Sequence, residues 1–220
     1  MTTTTTTTRT FPNETPEYRA ARTALLEKEA ELAALTRSVV AERQRLPPGG
    51  AIKDDYVFHT TSGTPIKLSD LFAKDKGSSL VIYSMMFPDG KPCPHCTNVV
   101  NGLEGVAATV GATHANFVVV AKAPHDQVAA YAAKMGWKDL TLLSSAGTTF
   151  NADYYAEEAQ GARGGAGGQN SLLTVFRKLD DGSVHHHWTS EMAFKDNDES
   201  SFWPVYPLFG IINLTVEGDV

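Results

Sequence analysis

At 220 residues, 42% hydrophobic and 20% charged, the chain has the make-up of one large globular domain, or one domain with an appendage, able to bury a core. Its net charge of −6 is the wrong sign for a nucleic-acid groove or a polybasic membrane anchor. No run approaches the roughly 18 apolar residues of a membrane span and no charged-then-apolar leader opens the chain, which together predict a cytoplasmic protein with no membrane or nucleic-acid partner.

Residues 1–14, a threonine run followed by Phe11-Pro12-Asn13, predict a disordered tail because they lack periodic apolar positions. Residues 15–46 predict a helical arm. Thr15 suits the N-cap, Pro16 the first helical position and Glu17 the positive end of the dipole. Tyr18, Leu25, Leu32, Val39 and Leu46 recur every seventh residue, while Lys28 and Glu42 interrupt the second row of a coiled coil. Such an arm either packs along its own domain or forms a homodimer contact. Pro47-Pro48-Gly49-Gly50 ends it.

Residues 51–220 predict an α/β domain. Tyr56–Thr60 reads as a strand, Ser62-Gly63 as a turn and Leu68–Phe72 as a short helical turn. The continuous apolar runs Ser79–Met85 and Ala115–Ala121 read as central strands covered on both faces. Helices are predicted from the Cys93–Cys96 segment through Val110 and from Pro124 to Gly136, followed by a short strand at Leu140–Leu143. The glycine-rich stretch 161–168 has no following Lys-Ser or Lys-Thr pair and reads as a loop, not a phosphate cradle. Strands at Ser171–Leu179 and Val184–Ser190 join through Asp180-Asp181-Gly182 as an antiparallel hairpin. A closing element, helical near Pro207–Asn213, packs on the sheet.

Cys93 and Cys96 are the only two cysteines and stand as C-P-H-C. A disulfide framework belongs to short secreted chains with many cysteines, and a zinc site of about four ligands has no second C-x-x-C here. A redox dithiol remains, or two soft ligands of a mixed Cys/His site. A thiol attacks as thiolate. At a helix N-terminus the free N–H groups and the dipole favour the anion, Pro94 suits the first turn, and His95 adds a donor or a positive charge. Cys96, about one turn on and more buried, reaches the same sulfur. Cys93 is thus the predicted nucleophile, Cys96 the resolving thiol and His95 its auxiliary, with no cofactor needed.

The run YSMMFPDGKPCPHC, the upstream KLSDLF, the later AKAPHDQVAAYAAKMGW and the closing LFGIINLT resemble a family of thioredoxin-like proteins described as a domain of unknown function or as predicted dithiol–disulfide oxidoreductases. The resemblance runs from about Tyr18 to Leu214. It implies a thioredoxin-like sandwich with a mixed central sheet and a long N-terminal helical arm, with Cys93 as nucleophile and Cys96 as resolving residue. Pro94-His95 is similar to the dipeptide of bacterial disulfide-forming oxidases. Two departures stand out. Thioredoxins hold a cis-proline before the strand facing the dithiol, where this chain has Ser171. Peroxiredoxins carry threonine or serine three residues before the reactive cysteine, where this chain has Gly90.

His185, His186 and His187 lie on a predicted strand, so His186 faces opposite to its neighbours. If one face points at the dithiol, Cys93 and Cys96 with His186 or His187 make a soft set for copper(I) or zinc, the alternative to the dithiol enzyme. Copper-delivery proteins of this superfamily pair two cysteines with a distal histidine, and a copper-dependent oxidase is a further form of that alternative. His59, His114 and His125 read as partnerless surface or strand residues. Asp153, Glu157 and Glu158 show no paired spacing for acid–base work; Asp196, Asp198 and Glu199 read as a solvated turn and Asp70 as a helix-start residue. Phe87, Trp137, Phe150, Tyr154 and Tyr155 are candidates for substrate selection. The expected function is a thiol–disulfide oxidoreductase acting on an oxidised sulfur compound. A redox-silent dimerising scaffold is the non-enzymatic reading.

Overall fold

A computed structural model describes residues 9–113, 116–158 and 168–191. The predicted closing element, the glycine-rich loop up to residue 167, His114 and the acidic turn at 196–199 fall outside the described residues. The chain divides into two compact units, residues 1–46 and 47–220.

The first unit is helix α1, Pro16–Gln44. The Thr15 side chain caps it by accepting the Tyr18 N–H at 3.2 Å, and Pro16 takes the first turn, where its missing N–H costs nothing. Arg19 Nε donates to Glu14 Oε1 at 2.7 Å, so order begins before the cap, inside the stretch expected to be a disordered tail. The helix buries none of its residues, and Tyr18, Leu25, Leu32 and Val39 of the heptad row are exposed. Among the described residues no helix is long and apolar enough to cross a membrane.

The second unit is built on a seven-stranded sheet in the order β2-β1-β5-β4-β3-β6-β7. The strands are β1 Val57–Thr60, β2 Pro65–Lys67, β3 Ser79–Met85, β4 Asn116–Ala121, β5 Thr141–Ser144, β6 Leu172–Lys178 and β7 Val184–Thr189. Strands β3, β4 and β5 run parallel, and β1 and β6 are antiparallel to their inner neighbours. This is the mixed sheet expected. Strand β2 was not foreseen: its Pro65 suits only an edge position, which is where it lies.

Alternation along the buried strands sorts the core into two layers. Tyr83, Met85, Val119, Ala121, Leu142 and Leu173 share one face with Cys96, Val99, Val100, Val128 and Ala132. These last come from helices α2, Pro94–Thr113, and α3, His125–Met135. Leu80, Ile82, Val118, Val120, Leu143 and Phe176 face the other way, onto Phe58, Leu68 and Phe150. Phe150 opens the short helix α4, Phe150–Asp153, and its ring meets Phe58 edge-on at 5.1 Å. Helix α3 ends at Gly136, whose φ of +76° suits a residue without Cβ.

The segment expected to be a linker does more than end α1. Gly49 N–H donates to His186 O at 3.0 Å, His186 N–H to Gly50 O at 2.9 Å and Ile52 N–H to Val184 O at 3.0 Å. These bonds occupy the outer edge of β7, an edge that would otherwise present unpaired backbone groups. A Cβ at Gly49 would lie 2.5 Å from His186 O, so the close approach requires glycine. Residues 47–50 group with the second compact unit.

Candidate active site

Strand β3 leads directly to the two cysteines. After Met85 the backbone folds back on itself, and Cys93 N–H donates to Met86 O at 3.1 Å. Between them a tight turn over Pro88–Gly90 places Asp89 at φ +51° and Gly90 at φ +72°, two successive left-handed residues. A Cβ at Gly90 would sit 3.1 Å from Gln127 Oε1. Conformation and space therefore both favour glycine where peroxiredoxins carry a hydroxyl residue.

Helix α2 begins at Pro94, so Cys93 occupies the N-cap position. Its carbonyl accepts from Thr97 N–H and Thr97 Oγ1, both at 2.9 Å, and Thr97 Oγ1 is 2.9 Å from Tyr131 OH. The Cys93 sulfur then stands where an N-cap side chain accepts from the first turn. It is partly exposed, whereas Cys96 is 2% exposed. Both thiols are free.

This arrangement lowers the Cys93 pKa to about 5. The largest cause is the hydrogen bond from the Cys96 thiol; the Cys96 and His95 backbone N–H groups add to it, and the charge of His95 contributes least, while burial opposes them. Cys96 moves the other way: the bond to Cys93 and its own burial push it up. Two groups that split a proton in this way titrate as a pair, one ionised and the other protonated. The helix start anticipated from sequence is present, yet the neighbouring thiol contributes more than the backbone.

Two hydroxyls missed by sequence reasoning meet beside the core layer that holds Cys96. Tyr83 is fully buried and shares its core layer with the Cys96 thiol, and its OH lies 2.7 Å from Ser171 Oγ. Burial, first, and then the neighbouring cysteines hold the Tyr83 phenol well above its usual pKa. No cis peptide bond occurs among the described residues, so Ser171 is joined to Asn170 by an ordinary trans bond. Gln169 Oε1 accepts the Phe87 N–H at 2.7 Å, tying the chain before β6 to the loop before Cys93.

A bulge interrupts the alternation of the histidine run at His187. The bulge between Val175 and Phe176 pairs Phe176 with His186 and Val175 with Trp188, so His187 is the extra residue and the facing changes across it. Trp188 packs against the core layer that holds the cysteines. His186 lies on the opposite face, stacked on Tyr154 with ring centres 6.0 Å apart and hydrogen-bonded to Thr189 Oγ1 at 2.8 Å. His185 bonds Gly49 O at 2.8 Å and Ser183 Oγ at 3.1 Å, and His187 Nδ1 is buried with no partner among the described residues. Cys93, Cys96, His186 and His187 are not gathered into one set; among the described residues no group of three or more His, Cys, Asp or Glu could hold a metal ion.

Most other candidate residues serve the fold. Phe87, Trp137 and Phe150 are core, and Trp137 Nε1 donates to Asn101 Oδ1 at 2.8 Å. Tyr154 packs on the second core layer, and only Tyr155 of that group is exposed, at 61%. Asp153 accepts from Lys53 at 2.7 Å and from Tyr56 OH at 2.9 Å, and Glu157 pairs with Lys122. His59 and His125, read as partnerless, stack with ring centres 6.2 Å apart. A cavity of about 700 Å³ opens beside Asp153, Tyr154, Tyr155, Glu158 and His186, and neither cysteine lines it.

Comparison with solved structures places this architecture. A cysteine-to-serine mutant of PrxQ from Xylella fastidiosa is similar over 76% of this chain and 98% of its own, with a TM-score of 0.51 at 12% identity. Peroxidoxin BcpB from Mycobacterium tuberculosis matches over 74% of this chain and 99% of its own, with a TM-score of 0.48 at 20% identity. A secreted M. tuberculosis disulfide oxidoreductase homologous to E. coli DsbE covers 56% of this chain and 76% of its own, with a TM-score of 0.40 at 21% identity. No curated protein matches the sequence. The fold is thioredoxin-like, with α/β layers on a mixed sheet and an N-terminal helix. The family model of a bacterial protein of unknown function (DUF899) matches residues 7–218, and the chain belongs to that family.

Proposed function

We propose that the protein is a thiol–disulfide oxidoreductase in which Cys93 is the attacking sulfur and Cys96 the resolving one. The observation that carries this reading is the partly exposed Cys93 sulfur at the start of α2, with the buried free thiol of Cys96 one turn on; the pKa of Cys93, lowered to about 5 first by the Cys96 thiol and then by the Cys96 and His95 N–H groups, agrees with it. The Cys93 thiolate attacks an oxidised sulfur of the substrate, forming a mixed disulfide and expelling the substrate's other sulfur as thiolate. Cys96 loses its proton and attacks Cys93; the Cys93–Cys96 disulfide forms, and the second substrate sulfur leaves. Two electrons pass from the dithiol to the substrate, and the sulfurs need no cofactor for this step. His95, exposed at the second helical position, supplies its N–H and its charge. Gly90 at the position of the peroxiredoxin hydroxyl favours a disulfide over a peroxide as the oxidant.

The reduced protein, incubated with a small disulfide, is expected to lose two hydrogens by intact mass, with a Cys93–Cys96 cross-link in the peptide map. A dithiol reductant should reverse the change, and Cys93→Ser should abolish it. Two free thiols after exposure to excess disulfide would overturn the reading.

A further inference from the structure

Helix α1 runs for 29 residues and buries none of them. Helices in proteins owe most of their stability to packing an apolar face rather than to propensity, so an open face of this length points to a partner. The face is a single row. Tyr18, Leu25, Leu32, Val39 and Leu46 stand seven residues apart, all exposed, with Leu32 and Leu35 at its middle 64% and 61% exposed. A repeat of this period suits two helices wound on each other. The same face carries two charges, Lys28 and Glu42, in line with Ala21 and Leu35, and both are exposed. Their partners on their own helix are weak. Lys28 Nζ is 3.6 Å from Glu31 Oε2, both side chains largely in solvent, and Ser38 Oγ is 3.5 Å from Glu42 Oε1.

We infer that α1 pairs with α1 of a second copy of this chain, antiparallel, with Leu32 of each helix packed on Leu35 of the other. The two charges select both the occupant and the direction. In a parallel pair equivalent residues lie side by side, so Lys28 would oppose Lys28 and Glu42 would oppose Glu42 along the seam. An antiparallel pair centred between Leu32 and Leu35 instead sets Lys28 opposite Val39 of the other copy and Glu42 opposite Leu25. Lys28 of each copy then lies one turn, about 4.5 Å along the axis, from Glu42 of the other. Two-fold symmetry makes this contact twice. The overlap runs from Ala21 to Leu46 of both copies, roughly the three to four heptads that mark a coiled coil. The Lys28 stem covers apolar surface while its ammonium stays at the rim. Polar residues in such a seam cost stability and fix register. The residues that break the apolar row are thus the ones that let the face complement itself.

Sedimentation velocity of the full-length reduced protein tests the pairing. The mass should move from 23.7 kDa toward twice that value as concentration rises. Leu32→Asp/Leu35→Asp should stay monomeric throughout, with the reactivity of Cys93 unchanged. Lys28→Glu and Glu42→Lys each set like charges together twice, and each should raise the dissociation constant about tenfold or more. The exchange Lys28→Glu/Glu42→Lys in one chain should return it to within about threefold of the parent, because opposite charges meet again. A parent still monomeric at about 0.1 mM overturns the pairing and leaves the face to a different protein. A dimer that survives Leu32→Asp/Leu35→Asp also overturns it, since the contact then lies elsewhere. A dimer lost in the leucine variant yet indifferent to both single charge changes overturns the antiparallel register, as does a deficit that the double exchange leaves uncorrected.

Discussion

The ionisation of Cys93 has a kinetic consequence that can be worked through. With its pKa lowered to about 5, the sulfur is about 90% thiolate at pH 6, against about 0.3% for a free thiol of pKa near 8.5, an advantage of roughly 300-fold. A weaker base is also a weaker nucleophile. At a Brønsted slope of about 0.45, a difference of about 3.5 pKa units makes each thiolate roughly 40-fold less reactive. The two effects cross. Against a free thiol and the same disulfide, Cys93 should react about eightfold faster at pH 6, level near pH 7 and about twentyfold slower at pH 8.5. The shape of the profile is therefore diagnostic where a single rate at pH 7 is not. Rates of Cys93 attack on a dipyridyl disulfide should be flat from pH 6 to 9 and fall only toward pH 5 and below. Replacing Cys96 by alanine removes the largest stabiliser of the thiolate, and the profile should shift toward that of an ordinary cysteine. A parent profile that rises about tenfold per pH unit through neutrality would refute the reasoning, because it would mean a thiol ionising in the ordinary range.

Three further outcomes test the scaffold. Glu104 on α2 accepts from the backbone N–H groups of Lys138, of Asp139 at 2.8 Å and of Leu140 at 3.0 Å; Glu104→Ala should cost about 1.5–3 kcal/mol in urea unfolding, and no loss would mean that water replaces the carboxylate freely. Burial, first among its causes, lowers the pKa of His186 from the ordinary 6.5, so the unfolded chain takes up that proton first as pH falls. Its contribution to stability should then be lost as pH drops through about 6.5 toward the lowered folded value, and His186→Gln should flatten the melting temperature between pH 6.5 and 5; an unchanged slope would contradict this. Gly90→Ala places a Cβ at φ +72° and 3.1 Å from Gln127 Oε1, with an expected loss of about 1–2 kcal/mol; a melting temperature equal to the parent's would show the turn relaxing at no cost.

The parts of the molecule legible in sequence are those fixed by local chemistry. The Thr15-Pro16 start of α1, the apolar runs of β3 and β4, the Gly136 stop and the Asp180-Asp181-Gly182 hairpin all act within a few residues, and each formed as read. The C-P-H-C motif at a helix start belongs with them. What the sequence did not show depends on pairing across the chain. The bulge opposite Val175 and Phe176 comes from how β6 and β7 register, and Trp188 beyond it packs against the cysteine layer. Gly49 and Gly50 read as a linker because nothing local reveals that they will pair with His186. Tyr83 looked like one more residue of a buried strand. Its parity with Met85 places it on the helix-covered face, but the meeting of its hydroxyl with Ser171, 88 residues away, is a tertiary fact. Ser171 itself was noticed only as a missing proline, whereas the structure gives its hydroxyl a contact of its own.

The account stands on the division of labour between the two sulfurs, and a Cys96→Ser protein tests it most directly. Without a resolving thiol, exposure to a disulfide at pH 6 should trap a stable mixed disulfide, one substrate half per chain, with peptide mass placing it on Cys93. The double variant Cys93→Ser/Cys96→Ser should take up none. A Cys96→Ser protein that stays unmodified at pH 6 would contradict the central claim.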